Sequence, residues 1–353
     1  MPFKILVINP GSTSTKIAYY EDDKQVYLKG IDHSAEDLAG FDDIIEQEEY
    51  RTKIVRGALG EWGIDPKSLS CVMGRGNMLP HMTGGGYVVE EKMVAALRAG
   101  KASPHASNIA SLIAYGIANP LGIPAYIYDS VTADEYAPIA KITGIPGVVR
   151  ESMNHVLNSK AMSHKYAQGI GKKYEDLQLI VVHMGGGVTI GVHDHGKIVD
   201  SIRDDAGPFS PERAGSIPLL YVVDMCYSGE HTKKEMIRYL RGFGGLKAYL
   251  GTADAREIEK MIEGGNDEAL KLYQAQAYQI AKGIGEMAPV LNGVFDAIIL
   301  TGGMAYSDML TGWIEERVKF IAPVVRMPGE SEMDSLAQGA IRLLKGEPYH
   351  VYG

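Results

Sequence analysis

The chain has 353 residues, 45% of them hydrophobic and 22% charged, with a formal net charge of −9. That balance suits a soluble globular protein of two or three domains and excludes a broad nucleic-acid-binding surface. Two cysteines, Cys71 and Cys226, make neither a disulfide framework nor a metal motif, and no apolar run reaches the length of a membrane span, so the expected setting is cytoplasmic with no membrane or nucleic-acid partner.

The first expected strand is FKILVI (3–8). It runs into NPGSTSTK (9–16), a turn of small and hydroxyl-bearing residues closed by a lysine. Such a turn lets an anion approach backbone N–H groups, and Ser12, Thr13, Ser14 and Lys16 add donors and charge. Further strands are expected at SCVMG (70–74), PAYIYD (124–129), LQLIVVHM (177–184) and DAIILTGG (296–303), each a continuous apolar run ending at Gly, Asp or Met-Gly. Helices are expected over 151–167, 268–291 and 331–346, the second carrying an apolar stripe at Leu270, Tyr273, Ala277, Ile280, Ile284 and Met287. The alternation argues for sheets covered by helices.

Two stretches echo one another. Residues 4–30 and the stretch from 178 both read as strand, small-residue turn, strand, polar turn, strand, which suggests two related lobes. In the second, Gly185, Gly186 and Gly187 allow close backbone approach to a phosphate; the plain alternative is two ordinary hairpins. Gly302 and Gly303 form a third glycine turn, between a strand and a helix, open to a flat or anionic group. No Walker P-loop and no G-x-G-x-x-G fingerprint is present. Arg75, Asp129 and Arg213 stand next to apolar runs or in a punctuated loop, and His155 lies in a helical stretch; read alone, a lone Arg or Asp of this sort is usually a solvated or capping residue, and a lone His on a helix is more often structural. His193 and His195 share an expected strand face, but no third metal ligand has matching spacing.

In this order, INPGSTSTK, GRG…GGGY (74–87), HASN (105–108), HMGGGVTIG, SPERAG and LTGGMAYS resemble the butyrate kinases of the acetate kinase family, within the sugar kinase/Hsp70/actin superfamily. The resemblance runs essentially from end to end. It implies an α/β, two-lobed actin-like ATPase fold, a ribonuclease H-like duplicated βββαβα, with an interlobe cleft. The expected division is an N-terminal lobe over 1–150, with the C-terminal segment 331–353 packing back on it, and a nucleotide-binding lobe over 151–330. The implied reaction is butyrate + ATP = butanoyl phosphate + ADP, with isobutyrate, propionate or acetate as alternative acids. The resemblance places Asn9, Ser12, Ser14 and Lys16 on the first phosphate turn, Gly185, Gly186 and Gly187 on the second, and Gly302, Gly303 and Met304 at adenosine. It makes Arg75, Arg213, His155 and Asp129 catalytic, gives Arg75, His105 and Asn108 to the acid, and assigns Mg²⁺ to Asp129 and Glu332, with Glu330 a rival two residues away. It also implies a homodimer or larger homo-oligomer. The sequence departs from the family's usual pattern at Asn77–Met78 and at DSVTADEY (129–136), both near the expected acyl site.

The residue types suit phosphoryl transfer, which needs alignment and charge neutralisation more than covalent chemistry. A carboxylate nucleophile is already ionised at neutral pH, so no strong base is required. Two like unit charges about 4 Å apart cost about 4 kcal/mol at an effective dielectric of 20, which arginines and Mg²⁺ offset. Two other readings remain open. A sugar kinase would use an aspartate base on a hydroxyl, and a nucleotide switch of the actin or Hsp70 kind would hydrolyse ATP without regard to any acid.

Overall fold

The computed structural model describes residues 2–103, 105–330 and 332–353. The chain forms two units: residues 1–134 with 331–353, and residues 135–330.

Unit 1 is built on a six-stranded sheet. β1 (Lys4–Pro10), β2 (Ser14–Glu21) and β3 (Lys24–Asp32) make an antiparallel meander. β4 (Cys71–Arg75) joins β1 in parallel, β6 (Ala125–Tyr128) joins β4 in parallel, and β5 (Gly86–Val88) closes that edge antiparallel to β6. β1 and β4 carry the apolar runs Ile5–Ile8 and Cys71–Met73 because they are central strands with both faces covered. The core on one face joins Leu6, Ile8, Val72 and Ile127 to Val55 and Leu59 of the Glu48–Glu61 helix and to Ile109, Leu112 and Ile113 of the Asn108–Ala118 helix. The final helix, Glu332–Leu344, belongs to this unit, and Tyr20 Oη donates to Asp334 Oδ1 at 2.6 Å. Ser331, where the sequence expectation starts that helix, lies outside the described residues.

Unit 2 repeats the plan. β7 (Gln178–Met184), β8 (Val188–Asp194) and β9 (Lys197–Ile202) form a second meander; β10 (Ala297–Gly302) pairs in parallel with β7 and β11 (Val324–Pro328) with β10. The repeat extends to detail: the register shifts once between the second and third strands of each meander, at Tyr19/Tyr20 and at Val192/His193. The Asp267–Met287 helix buries Tyr273, Ala277, Ile280 and Ile284 against Ile190 and Ile202, as its apolar stripe predicts. This is the α/β actin-like ATPase fold expected from the sequence.

Three local expectations are corrected. The helix expected from 151 starts at Val156. Before it, Ser152 and Asn154 are buried polar side chains, and Asn154 Oδ1 accepts from Ser201 Oγ at 2.7 Å, so the stretch is anchored as a loop. His155 is therefore the residue capping the helix and not part of its body. His193 and His195 do not share a strand face: His193 lies buried in β8, while His195 sits in the following turn at φ 48°.

Candidate active site

In unit 1 the turn between β1 and β2 spans residues 11–14, since Pro10 pairs with Thr15. Gly11 N–H donates to the Ser14 carbonyl at 2.8 Å and tightens it. Ser12 is exposed, Ser14 half-buried, and exposed Lys16 lies across the ladder from Asn9. Asn9 is nearly buried and links two other expected residues. Its Nδ2 donates to Glu332 Oε2 at 2.6 Å, and its Oδ1 accepts from Arg75 Nη1 at 3.2 Å. Arg75 Nη1 also meets Glu332 Oε1 at 2.9 Å. Asn9, Arg75 and Glu332 thus form one constellation at the ends of β1 and β4 and the start of the last helix. Glu332 occupies this place, and Glu330 is an exposed residue outside the helix.

His105 faces the same charges. Burial lowers its pKa, Arg75 lowers it further, and Glu332 opposes both. Ser107 N–H donates to His105 Nδ1 at 3.1 Å, so the neutral ring carries its proton on Nε2. Asn108 uses both ends of its amide on backbone: Oδ1 accepts from Met78 N–H and Nδ2 donates to the Ser103 carbonyl, each at 2.8 Å. That fixes the loop after β4. Asp129 closes β6 at φ 45°, buried, with Oδ1 accepting from Gly85 N–H at 2.9 Å.

In unit 2 the turn between β7 and β8 is three glycines. Gly185 N–H donates to the Gly187 carbonyl at 3.0 Å, and Ser210 Oγ donates to the Gly186 carbonyl at 2.6 Å. Arg213 lies against it: a Cβ on Gly187 would stand 2.7 Å from Arg213 Cζ, so a side chain there would displace the guanidinium. Arg213 pairs with buried Asp204, and Arg241 Nη2 meets the same carboxylate at 3.0 Å. Burial pulls the Arg213 pKa down to about 10, and the Arg241 charge adds to the shift. Gly302 stands at φ 89°, and a Cβ there would lie 2.7 Å from the Met184 carbonyl carbon. Gly303, by contrast, has open space beside it.

A cavity of about 670 Å³ is lined by Gly185 and Gly186, by Gly303, Met304 and Tyr306, and by Asp254–Arg256 and Glu259 among others. Its size is that of a small-molecule pocket. It unites the expected phosphate turn with the expected adenosine turn.

His155 and His183 stack with ring centroids 3.9 Å apart at an interplanar angle of 16°. His155 Nδ1 meets Thr189 Oγ1 at 3.1 Å, and His183 Nδ1 meets Asn158 Oδ1 at 2.9 Å. Burial holds the His183 pKa well below the usual imidazole range, and the nearby His155 and Arg213 charges add to it. Sequence reasoning missed His183, Asp204 and Arg241. His183 carried a usable signal, a titratable ring at the end of an otherwise apolar strand. Among the described residues no group of three or more His, Cys, Asp or Glu could hold a metal, and no helix is long and apolar enough to cross a membrane.

Two sheets opened by the same three-stranded meander, each meander headed by a glycine-bearing turn, define a member of the actin-like ATPase fold class. Residues 136–311 match the family model described as the acetokinase family. Its fold is similar over nearly its whole length to three solved structures. Acetate kinase from Porphyromonas gingivalis superposes with a TM-score of 0.79 at 17% identity, covering 97% of this chain and 100% of that one. A propionate kinase from Francisella tularensis gives 0.74 at 17% identity, covering 96% and 98%. Acetate kinase from Entamoeba histolytica gives 0.74 at 18% identity, covering 95% and 98%.

Proposed function

We propose that the protein is an ATP-linked carboxylate kinase acting on a short-chain fatty acid, with butyrate as its substrate: butyrate + ATP = butanoyl phosphate + ADP, reversibly. The observation that carries this is the unit 2 cavity, where the Gly185–Gly186 turn and the Gly303–Met304 turn meet, beside Arg213 held by Asp204. The acetokinase-family segment supports the reaction class.

A carboxylate oxygen attacks the γ-phosphorus in line, a new O–P bond forms, and the bond to the ADP oxygen breaks. The acid is ionised already, so the protein's task is to hold two anions together. Arg213 takes equatorial phosphoryl oxygens in this reading, because its planar fork offers donors beyond those spent on Asp204. Arg75 is the guanidinium for the incoming acid, with His105 presenting a neutral Nε2–H to the same side. His155, fixed by Thr189 and its stack on His183, supplies a further donor. Asn9, Ser12, Ser14, Lys16 and Gly187 complete the contacts to phosphate oxygens, Gly302 sets the backbone of the adenosine turn, and Asn108 keeps the acid-side loop in place.

Asp129 and Glu332 are the carboxylates that would hold an Mg²⁺ arriving with the nucleotide, an ion commonly held by one or two carboxylates plus substrate phosphates. When bound, the ion neutralises phosphate charge. The proposal includes a cytoplasmic setting and self-association, in keeping with the exposed apolar residues Leu219, Leu220 and Tyr227. Hydroxamate trapping with acetate, propionate, butyrate, isobutyrate and valerate, beside a panel of sugars assayed by ADP release, tests the reading. Highest kcat/KM on butyrate is expected. No hydroxamate from any acid would overturn the carboxylate reading, and a peak on another acid would overturn butyrate alone.

A further inference from the structure

Among the described residues Arg51 is the largest fully buried side chain, and no carboxylate is among its hydrogen-bond partners. It rises from the Glu48–Glu61 helix into the back of the β1–β2 turn. Nη1 donates to the carbonyls of Gly11 at 2.8 Å and Ser14 at 2.9 Å and to Thr15 Oγ1 at 3.0 Å. Nη2 donates to the Ser12 carbonyl at 3.0 Å and to Gln47 Oε1 at 2.8 Å, and Nε donates to the same Gln47 oxygen at 2.9 Å. All acceptors are neutral. A titratable side chain in this network, His33, is bonded to Thr15 Oγ1 and Tyr50 Oη and is held toward its neutral form by burial and by Arg51 itself. Arginine keeps its charge under such conditions. A buried cation without a counterion is costly, so it implies compensation elsewhere.

The turn geometry shows where. In a trans peptide the C=O and the following N–H point in opposite directions. Drawing the Gly11 and Ser12 carbonyls inward therefore turns the Ser12 and Thr13 N–H groups outward. Ser12 and Thr13 are exposed, and among the described residues neither N–H meets an acceptor. Two consecutive outward N–H groups form an anion nest. The sequence offers only the front of this device, the small and hydroxyl-bearing residues, and the structure adds the cation behind them.

We propose that Arg51 is a positioning residue for phosphate binding: its buried guanidinium holds the carbonyls of Gly11, Ser12 and Ser14 inward, presents the Ser12 and Thr13 N–H groups to a nucleotide phosphate, and places a fixed positive charge behind them. This rests on reading the turn as a phosphate site. The charge and the shape can be separated, because Gln47→Glu keeps an oxygen acceptor at the same place while neutralising the guanidinium. Arg51→Lys does the reverse, keeping the charge but losing the fork.

In the full-length protein, calorimetry would measure the binding of ATP, pyrophosphate and adenosine. Gln47→Glu is expected to weaken ATP and pyrophosphate about tenfold, the scale of one unit charge acting over several ångströms at an effective dielectric near 20. It should leave adenosine unchanged, flatten the salt dependence of ATP binding, and leave the melting temperature equal or higher. Arg51→Lys is expected to speed amide exchange over residues 11–15 and to weaken pyrophosphate as well. ATP affinity within twofold of wild type in folded Gln47→Glu would overturn the proposal, as would an equal loss of adenosine binding. A wild-type protein that binds pyrophosphate through Arg51 yet makes no acyl phosphate would overturn the carboxylate reading and leave this one standing. Wild type that binds neither ATP nor pyrophosphate would overturn both.

Discussion

Asp204→Asn isolates the electrostatic support of Arg213. The carboxylate is buried, while the side chains of its partners Arg213 and Arg241 are 25% and 36% exposed. Removing one member of a fully buried ion pair costs about 3–5 kcal/mol; solvent screening of the two arginines reduces this to about 2–3 kcal/mol. Unit 2 runs from Glu135 to Glu330. A domain of that size loses about 2–4 °C in Tm per kcal/mol, so a fall of about 5–10 °C is expected by calorimetry. Asparagine keeps the shape but leaves two guanidiniums facing each other without a counter-charge. Arg213 is then pushed off the Gly187 backbone on which it rests. If Arg213 meets charge that develops on the transferring phosphoryl group, kcat should fall ~10²–10³-fold, the loss seen on deleting one such donor. The KM for ATP should change far less. Hydroxamate-trapping kinetics at saturating ATP would read this directly. A variant with kcat within about threefold of wild type and an unchanged Tm would refute both the pairing and the role derived from it.

Three further outcomes are expected. Burial pushes the His193 pKa to about 3; between about pH 6.5 and 3 the unfolded chain takes up a proton that this folded ring refuses, so stability falls as pH drops through that window, and burial shifts His183 in the same direction. Each ring contributes a slope of ~1.4 kcal/mol per pH unit, and His193→Gln should remove one such slope in urea unfolding between pH 7 and 5, whereas an unaltered slope would contradict the assignment. Gly302→Ala should destabilise unit 2 by at least ~1–2 kcal/mol through its positive φ and its contact with the Met184 carbonyl, while Gly303→Ala should fold normally, so nucleotide affinity lost in the latter reports on the ligand and retention of wild-type stability by the former would count against the strain. Glu332→Gln keeps an acceptor for Asn9 but removes the charge facing Arg75. With side chains 27% and 21% exposed, that pair is screened by solvent and worth about 1 kcal/mol, so Tm should change little while kcat falls more than about tenfold, and wild-type turnover would exclude Glu332 from the reacting set.

The sheets were legible because central strands are continuous apolar runs: FKILVI, SCVMG, PAYIYD, LQLIVVHM and DAIILTGG all became strands. The repeated meander was legible from its spaced small-residue turns. The helix start at 151 was misread because Ser152 and Asn154 pass for exposed helix residues, and only Ser201, far along the chain, makes them loop anchors. Arg51 was invisible for a similar reason. An arginine in EEYRTKIV looks like the solvated face of a helix, and its burial comes from carbonyls about 40 residues earlier. Asp204, in RDDAG, looks like turn chemistry until Arg213 and Arg241 close on it. Local pattern reports periodicity, and these residues are defined by contacts between distant segments.

Unit 1 is discontinuous: the chain leaves it near residue 134 and returns only at 331. During synthesis, β1 through β6 emerge with Asn9 and Arg75 in place but without their acidic partner. Glu332, Asp334 and Arg342, which reach Asn9, Tyr20 and Tyr128, are made nearly two hundred residues later. The six-stranded sheet thus has all its strands early, but it lacks the last helix that packs on β1, β4 and β6 until the whole intervening unit has passed through the exit tunnel. The last helix acts as a keystone, so that no nascent fragment lacking it can assemble the Asn9–Arg75–Glu332 constellation.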